Sequence, residues 1–155
     1  GRELFDYDPD EELSDDNLPW VETEIDHIQI GPWSLMTIPG EVAPELLIGG
    51  YDGSHVGDPS KSIIDDDNPN PPDLSLAPEG PYIKELLPNE HRWIVGLGND
   101  ELGYILPEYN FKLDENLPWF NEAAGDHYEE TNSLGPDTAR IIQDAMEQLL
   151  DWESQ

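Results

Sequence analysis

Three side chains that carry oxygen atoms lie in or beside predicted turns and loops, and they are the candidate catalytic or metal-binding residues of this sequence. Glu41 comes after a Pro-Gly pair that ends an apolar run, and Tyr104 directly follows the polar, glycine-rich segment 98–103. Tyr128 stands in residues 107–131, which are predicted to be mostly loop. Connections held by a rigid scaffold are common positions for binding and catalytic residues. A site built from these residues would act through carboxylate and phenol oxygens.

Other kinds of catalytic site have little support in the sequence. The chain has no cysteine, which excludes disulfides and thiolate metal sites. It has no G-x-S-x-G elbow and no glycine-rich phosphate loop. Its histidines form no paired metal-binding motif, and each is expected to be structural or exposed: His27, His55, His91 and His127.

Short strands are expected to position the three candidates. Residues 21–38 predict a β-hairpin with its turn at Gly31-Pro32, and residues 44–48 predict a short helix. Residues 93–97 predict a buried strand, and residues 104–106 predict a second short strand before a proline. Each of the first two candidates therefore stands next to a predicted strand.

The clearest predicted element is a C-terminal amphipathic helix. It should begin at Gly135-Pro136-Asp137, where proline suits the first turn and the carboxylate suits the positive end of the helix dipole. Its apolar stripe is expected to face the core: Ile141, Ile142, Ala145, Met146, Leu149 and Leu150. Together the elements predict an α+β or layered α/β fold with long acidic loops.

Two segments are predicted to lie outside this scaffold. Residues 1–20 are rich in acids and predict an exposed, loosely ordered arm. The spacing of Asp6, Asp8 and Asp10 matches the opening of a calcium loop, but Glu11 occupies the position where such a loop needs a glycine for its sharp turn. Residues 52–81 predict an irregular surface loop, whose Asp-Asn cluster is a second possible cation site.

The net charge of −30 excludes several classes of partner. A nucleic-acid-binding protein needs a basic surface, and an anionic membrane would repel this chain. No apolar run is long enough for a transmembrane helix. The aromatic content nevertheless favours a packed core, and the acidity suits a salty or extracellular environment.

The first residue is Gly rather than Met, so the chain is expected to be processed, excised or truncated.

Three segments of the sequence resemble motifs of the neutral, non-lysosomal ceramidases, and they occur in the same order. Residues 27–41, HIQIGPWSLMTIPGE, are similar to a strand-turn-strand segment ending in PGE. Residues 94–105, IVGLGNDELGYI, resemble a strand, an Asn and a terminal Tyr. Residues 128–142, YEETNSLGPDTARII, resemble a Tyr-Glu pair before a helix that opens with Gly-Pro-x-Thr. The resemblance covers residues 25–48 and 91–150 and implies a zinc amidase that cleaves N-acyl sphingoid bases.

The resemblance also implies roles for individual residues. Glu41 and Tyr104 match zinc ligands, and Tyr128 matches a tyrosine that polarises the amide oxygen. Asn99 is expected either to shape its turn with a left-handed backbone or to hold the tyrosine or the carboxylate in place. Bound zinc would activate a water molecule and polarise the carbonyl.

The sequence differs from the family pattern, and the differences indicate that this chain would contain only part of the site. The family's two zinc histidines lie upstream of PGE, so residues 21–155 resemble the C-terminal portion of a catalytic domain, and zinc would need two further histidines outside this chain. The expected partners are the N-terminal remainder of that domain and a lipid amide, in a secreted or periplasmic location. Val-Ala-Pro-Glu follows PGE here, where the family usually continues with Phe-Thr.

Two other functions are compatible with the sequence. The chain could be a non-catalytic, acidic extracellular module that retains the fold and binds calcium or a partner through residues 65–73. It could also be a hydrolase of the same architecture with another substrate, such as a different N-acyl lipid or a small amide. The motifs specify neither the acyl chain nor the head group.

Overall fold

The computed structural model describes residue 8 and residues 10–12, 14, 17, 21–50, 67, 71, 73–77, 79–111 and 128–153. Most of the predicted acidic arm and of the 52–81 loop lies outside these residues, as do His55 and His127. The described residues form an α+β fold, which confirms the predicted class.

A mixed three-stranded sheet forms the first layer. Strand β1 (His27–Ile30) and strand β2 (Trp33–Ile38) form the predicted antiparallel hairpin, in which Ile30 pairs with Trp33 across a two-residue turn. Gly31 in this turn has a φ of 57°, a conformation that glycine adopts readily. Strand β4 (His91–Gly96) pairs parallel with β2, so β2 is the middle strand.

A second, two-stranded sheet continues the same two chain segments. Strand β3 (Glu41–Val42) follows β2 after Pro39 and Gly40, and strand β5 (Tyr104–Ile105) follows β4 after a longer turn. The two strands pair in parallel. The sequence predicted β5 as the short strand before Pro107, whereas β3 had not been predicted.

The described residues include four α-helices and two single turns of 3-10 helix, Leu74–Leu76 and Glu108–Asn110. The predicted short helix is present as α1 (Pro44–Ile48), and α2 (Ile83–Leu86) lies before β4. Helix α3 (Tyr128–Thr131) occupies a stretch that the sequence predicted as loop. Helix α4 (Thr138–Glu153) begins just after the predicted Gly-Pro-Asp start.

The core lies between the strands and α4. Its buried members come from β2, β5, the three helices α1, α2 and α4, and the segments next to them: Met36, Ile38, Ala43, Leu46, Ile83, Leu87, Ile105, Leu106, Ala139, Ile142 and Met146. Most of the predicted stripe of α4 is buried or half-buried, but Ile141 is 54% exposed, so its placement on the buried face was wrong. It lies about 100° around the helix from Ile142, outside the line through Ala139, Ile142 and Met146.

The prediction that residues 93–97 form a buried strand was also partly wrong. The strand is present, but Trp93, Val95 and Leu97 are exposed, and only Ile94 turns towards buried Met36. Successive side chains of a strand point to opposite faces. Within the described residues only one face of the sheet is covered, so half of this apolar strand remains accessible.

Helix α1 buries one carboxyl group, that of Glu45. Only 9% of this residue is exposed. Burial raises the pKa of the Glu45 carboxyl above its ordinary value, while a backbone hydrogen bond and the Tyr109 hydroxyl oppose that rise in part. The ionised form therefore costs folding free energy at neutral pH.

We expect Glu45→Gln to raise the melting temperature at neutral pH. Because the folded pKa is above the unfolded pKa, wild type regains this stability as the pH falls through the folded value. The difference between the two proteins should therefore shrink in acid and vanish below the unfolded pKa, as thermal unfolding across pH would show. Glu22→Gln removes the same charge from an exposed position; an equal rise there would assign the effect to lower net charge.

Candidate functional site

The pairing of β3 with β5 brings Glu41 and Tyr104 side by side. They are direct register partners in the parallel pair, so their side chains point to the same face of this small sheet. The Glu41 amide donates to the Gly103 carbonyl oxygen at 2.9 Å, and the Ala43 amide donates to the Ile105 carbonyl oxygen at 3.0 Å. Backbone hydrogen bonds therefore fix the relative positions of these two candidates.

The third candidate joins the same place through α3. The Tyr104 amide donates to the Asn132 carbonyl oxygen at 3.0 Å, and Tyr104 forms an isolated parallel bridge with Ser133. The rings of Tyr104 and Tyr128 meet edge to face, with centroids 5.9 Å apart. The three resembling segments, which are remote in sequence, thus meet around Tyr104.

Two glycines make this close approach possible. A Cβ atom on Gly40 would lie 2.6 Å from the Gly103 oxygen, and one on Gly103 would lie 2.0 Å from the Asn132 oxygen. Gly103 also has a φ of 83°, in the left-handed region. The backbones around Glu41 and Tyr104 therefore pack at distances that a side chain at either glycine would prevent.

The surroundings of Tyr104 are acidic and partly accessible. Partial burial raises the pKa of the Tyr104 phenol above its ordinary value, and the negative charges of the Glu41 and Glu129 carboxylates raise it further. Tyr104 is half-buried, whereas Glu41 and Tyr128 are exposed. At neutral pH the Tyr104 phenol is therefore protonated and lies in a negative field, which favours the approach of a cation.

These residues fit a divalent cation only in part. Glu41 and Tyr104 supply oxygen ligands of the kind that zinc accepts, and the surrounding charge is of the right sign. Over the part of the chain that the structure describes, no group of three or more His, Asp or Glu side chains could hold a metal ion. Zinc bound here would need further ligands.

Asn99 has the predicted left-handed backbone, with a φ of 75°. Its side-chain nitrogen donates to the Asp26 carboxylate at 2.9 Å, to Thr37 Oγ1 at 3.2 Å and to the Glu24 carbonyl at 3.2 Å. The amide nitrogen thus ties the 97–103 turn to the start of the hairpin, and these bonds reach neither Glu41 nor Tyr104.

The two described histidines lie on the three-stranded sheet. His27 Nε2 hydrogen-bonds the hydroxyl of buried Ser34, and the His91 ring stacks on Trp33 with centroids 4.5 Å apart. Both contacts agree with the expectation that these residues are structural or exposed. His27 lies on β1, which is not hydrogen-bonded to the β3–β5 pair.

Sequence reasoning missed the backbone groups that assemble the site. Gly103, Asn132 and Ser133 act through their main chains, and side-chain motifs give no signal for such contacts. Glu129 contributes to the negative field around Tyr104. Glu129 directly follows Tyr128 in the sequence, and this adjacency could have identified it as part of the site, since adjacent residues of a helical turn share a local environment.

Comparison of the chain with protein families, with curated proteins and with solved structures finds no match. No helix in the described ranges has the length and apolar character needed to cross a membrane. The three ordered segments and the geometry around Tyr104 are the observations that bear on function.

Proposed function

We propose that this chain is the C-terminal portion of a zinc-dependent amide hydrolase that resembles the neutral ceramidases. The reaction would be hydrolysis of the amide of an N-acyl sphingolipid by metal-activated water. The N-terminal remainder of the catalytic domain would be its obligate partner, and it would contribute two histidines.

The observation that carries the proposal is the convergence of three segments on Tyr104. The resemblance links Glu41, Tyr104 and Tyr128 to one active site, although 63 residues separate the first two in the sequence. The direct register pair and the edge-to-face ring contact are what such a shared site requires. A chance resemblance of three short motifs would not by itself require them to meet.

Each residue has a role that suits its position. Glu41 and Tyr104 would hold the metal, which supplies a polarised carbonyl and a more acidic water when bound. Tyr128 carries an exposed phenol that can donate a hydrogen bond to the amide oxygen as negative charge develops on it. The exposure of this side leaves room for a substrate and for the missing ligands.

The proposal predicts how the isolated chain responds to zinc. Zinc titration, followed by tyrosine difference absorbance, should show weak binding that strengthens as the pH rises, because zinc competes with the phenol proton. Tyr104→Phe should remove the difference signal and Glu41→Gln should weaken binding. Tyr82→Phe removes a phenol that lies against Gly49 at the C-terminal end of α1, and it should keep both the difference signal and the binding. Tight zinc binding that survives the first two substitutions would contradict the ligand assignment.

Activity is tested in the protein that contains the remainder of the domain. Fatty acid release from a short-chain ceramide should fall roughly 10²–10³-fold in kcat for Tyr128→Phe, with little change in KM, as for loss of one oxyanion donor. Tyr82→Phe again serves as the control. Full activity in both Tyr128→Phe and Tyr104→Phe would overturn the proposal.

A further inference from the structure

The three-stranded sheet presents a face without carboxylates on a strongly acidic protein. Residues 27–38 and 91–97 contain no Asp or Glu, although 36 of the 155 residues are acidic. The register places apolar residues together on the uncovered face: Ile28, Ile30, Trp33, Leu35, Trp93 and Val95. Exposed apolar patches of this kind commonly mark binding surfaces.

A pocket of about 530 Å³ opens where β2 and β4 begin, at the edge of the sheet that β4 forms. Trp33, His91 and Trp93 belong to the open face, whereas Arg92, the alternate residue of β4, belongs to the opposite face. The pocket walls combine two tryptophans with three basic side chains and one acid: Trp33, Trp93, Lys84, His91, Arg92 and Glu90. The two indole rings lie 5.8 Å apart at an angle of 38°, and each tryptophan is about half exposed. The pocket therefore offers an aromatic surface beside positive charge.

Arg92 and Lys84 of this pocket have no carboxylate partner among the residues that the structure describes. Arg92 donates through Nε to the Asn89 carbonyl at 2.8 Å, and neither Arg92 nor Lys84 makes an ion pair with any described residue. By contrast, Arg140 on α4 pairs with two aspartates. In a chain with six basic and 36 acidic residues, two unpaired cations in one pocket are unexpected.

Asn89 forms hydrogen bonds with both the tryptophan side and the arginine side of the pocket. Its side-chain nitrogen donates to the Trp33 carbonyl at 3.2 Å, while its own carbonyl accepts the Arg92 Nε bond. Since Nε alone is used, the two terminal nitrogens of the guanidinium can bind the two oxygens of a carboxylate. The aromatic wall and the cationic wall are thus tied to one residue before any ligand binds.

We propose that this pocket binds an amphiphilic anion, a carboxylate joined to an apolar alkyl or aryl body. The head would lie on Arg92 and Lys84, and the body on Trp33 and Trp93. The net charge of −30 opposes an anion, but distant charges are screened over about 8 Å at physiological salt, and the lining of the pocket itself carries Arg92 and Lys84 against the single carboxylate of Glu90. The pocket lies at the start of β2, whereas Glu41 follows its end, so the proposal does not depend on the hydrolase function.

Tryptophan fluorescence titration tests this site with defined probes. Decanoate and phenylacetate represent the alkyl and aryl sources, decanol and phenethyl alcohol are their neutral counterparts, and acetate is the head alone. We expect at least one amphiphilic acid to bind about 10-fold more tightly than its alcohol, because charge-assisted hydrogen bonds add to apolar contact. The tighter acid identifies the source.

Substitutions of the basic residues test whether they bind the carboxylate head. Arg92→Gln should weaken binding of the preferred acid about 10-fold, and Lys84→Gln, at an exposed helix position, should weaken it without risk to the fold. Arg140→Gln removes an equal charge elsewhere and should leave binding unchanged. Equal affinity of both acids and their alcohols, equal affinity for acetate and the preferred acid, or equal effects of Arg92→Gln and Arg140→Gln would each overturn the proposal.

Discussion

Gly103→Ala is expected to destabilise the fold by about 3 kcal/mol or more and to separate Tyr104 from α3. A left-handed backbone costs a non-glycine residue roughly 1–2 kcal/mol. The new Cβ would also stand 2.0 Å from the Asn132 carbonyl oxygen, which accepts the Tyr104 amide. Backbone atoms cannot yield as a flexible side chain does, so the Tyr104–Asn132 hydrogen bond should break.

Gly31→Ala isolates the conformational part of this cost. Gly31 has a φ of 57°, and a Cβ atom there would meet nothing within 4 Å. We expect it to lose only about 1 kcal/mol. Urea unfolding of both variants gives the difference in free energy, and amide hydrogen exchange at Tyr104 reports the broken bond. Equal losses in the two variants would show that the backbones around Gly103 are not tightly packed.

Met146→Ala is expected to cost about 2–5 kcal/mol, because it leaves a cavity between α4 and the strands. Met146 is fully buried in the core cluster, together with Ile142 and Ile105. Ile105 of the same cluster belongs to β5, so we expect the substitution also to loosen the strand that carries Tyr104.

Ile141→Ala is the matched control on the same helix. Ile141 is 54% exposed, and alanine is the better helix former, so the change in stability should stay within about 0.5 kcal/mol. Chemical denaturation measures both variants. A large loss at Ile141 with a small loss at Met146 would mean that α4 packs through its other face.

The hairpin and α1 could be predicted because their signals are local. A Gly-Pro turn between two apolar runs defines the hairpin, and Pro44 followed later by Gly49 brackets α1. The apolar run at 93–97 predicted the strand correctly but not its exposure. Composition records that side chains are apolar, while neighbouring elements decide which face of a strand they cover.

The positions of Glu41, Tyr104 and Tyr128 in short connections were readable from the sequence, and the resemblance suggested that they belong together. Their actual contacts depend on the β3–β5 register and on the approach of α3 to Tyr104. Both depend on the close approach of main-chain atoms at glycines, and a motif of functional side chains does not encode such packing. The pocket of Trp33 and Arg92 was equally hidden, because its residues come from separate strands.

The sequence by itself determined the local elements, the strongly acidic surface and three chemically capable residues, since turn chemistry, periodicity and charge are properties of short segments. Tertiary structure alone decided that these residues meet and that the carboxylate-free strands form one open face. The physical reason is that strand register and close backbone packing join residues far apart in the chain, and their energies depend on shape rather than on composition.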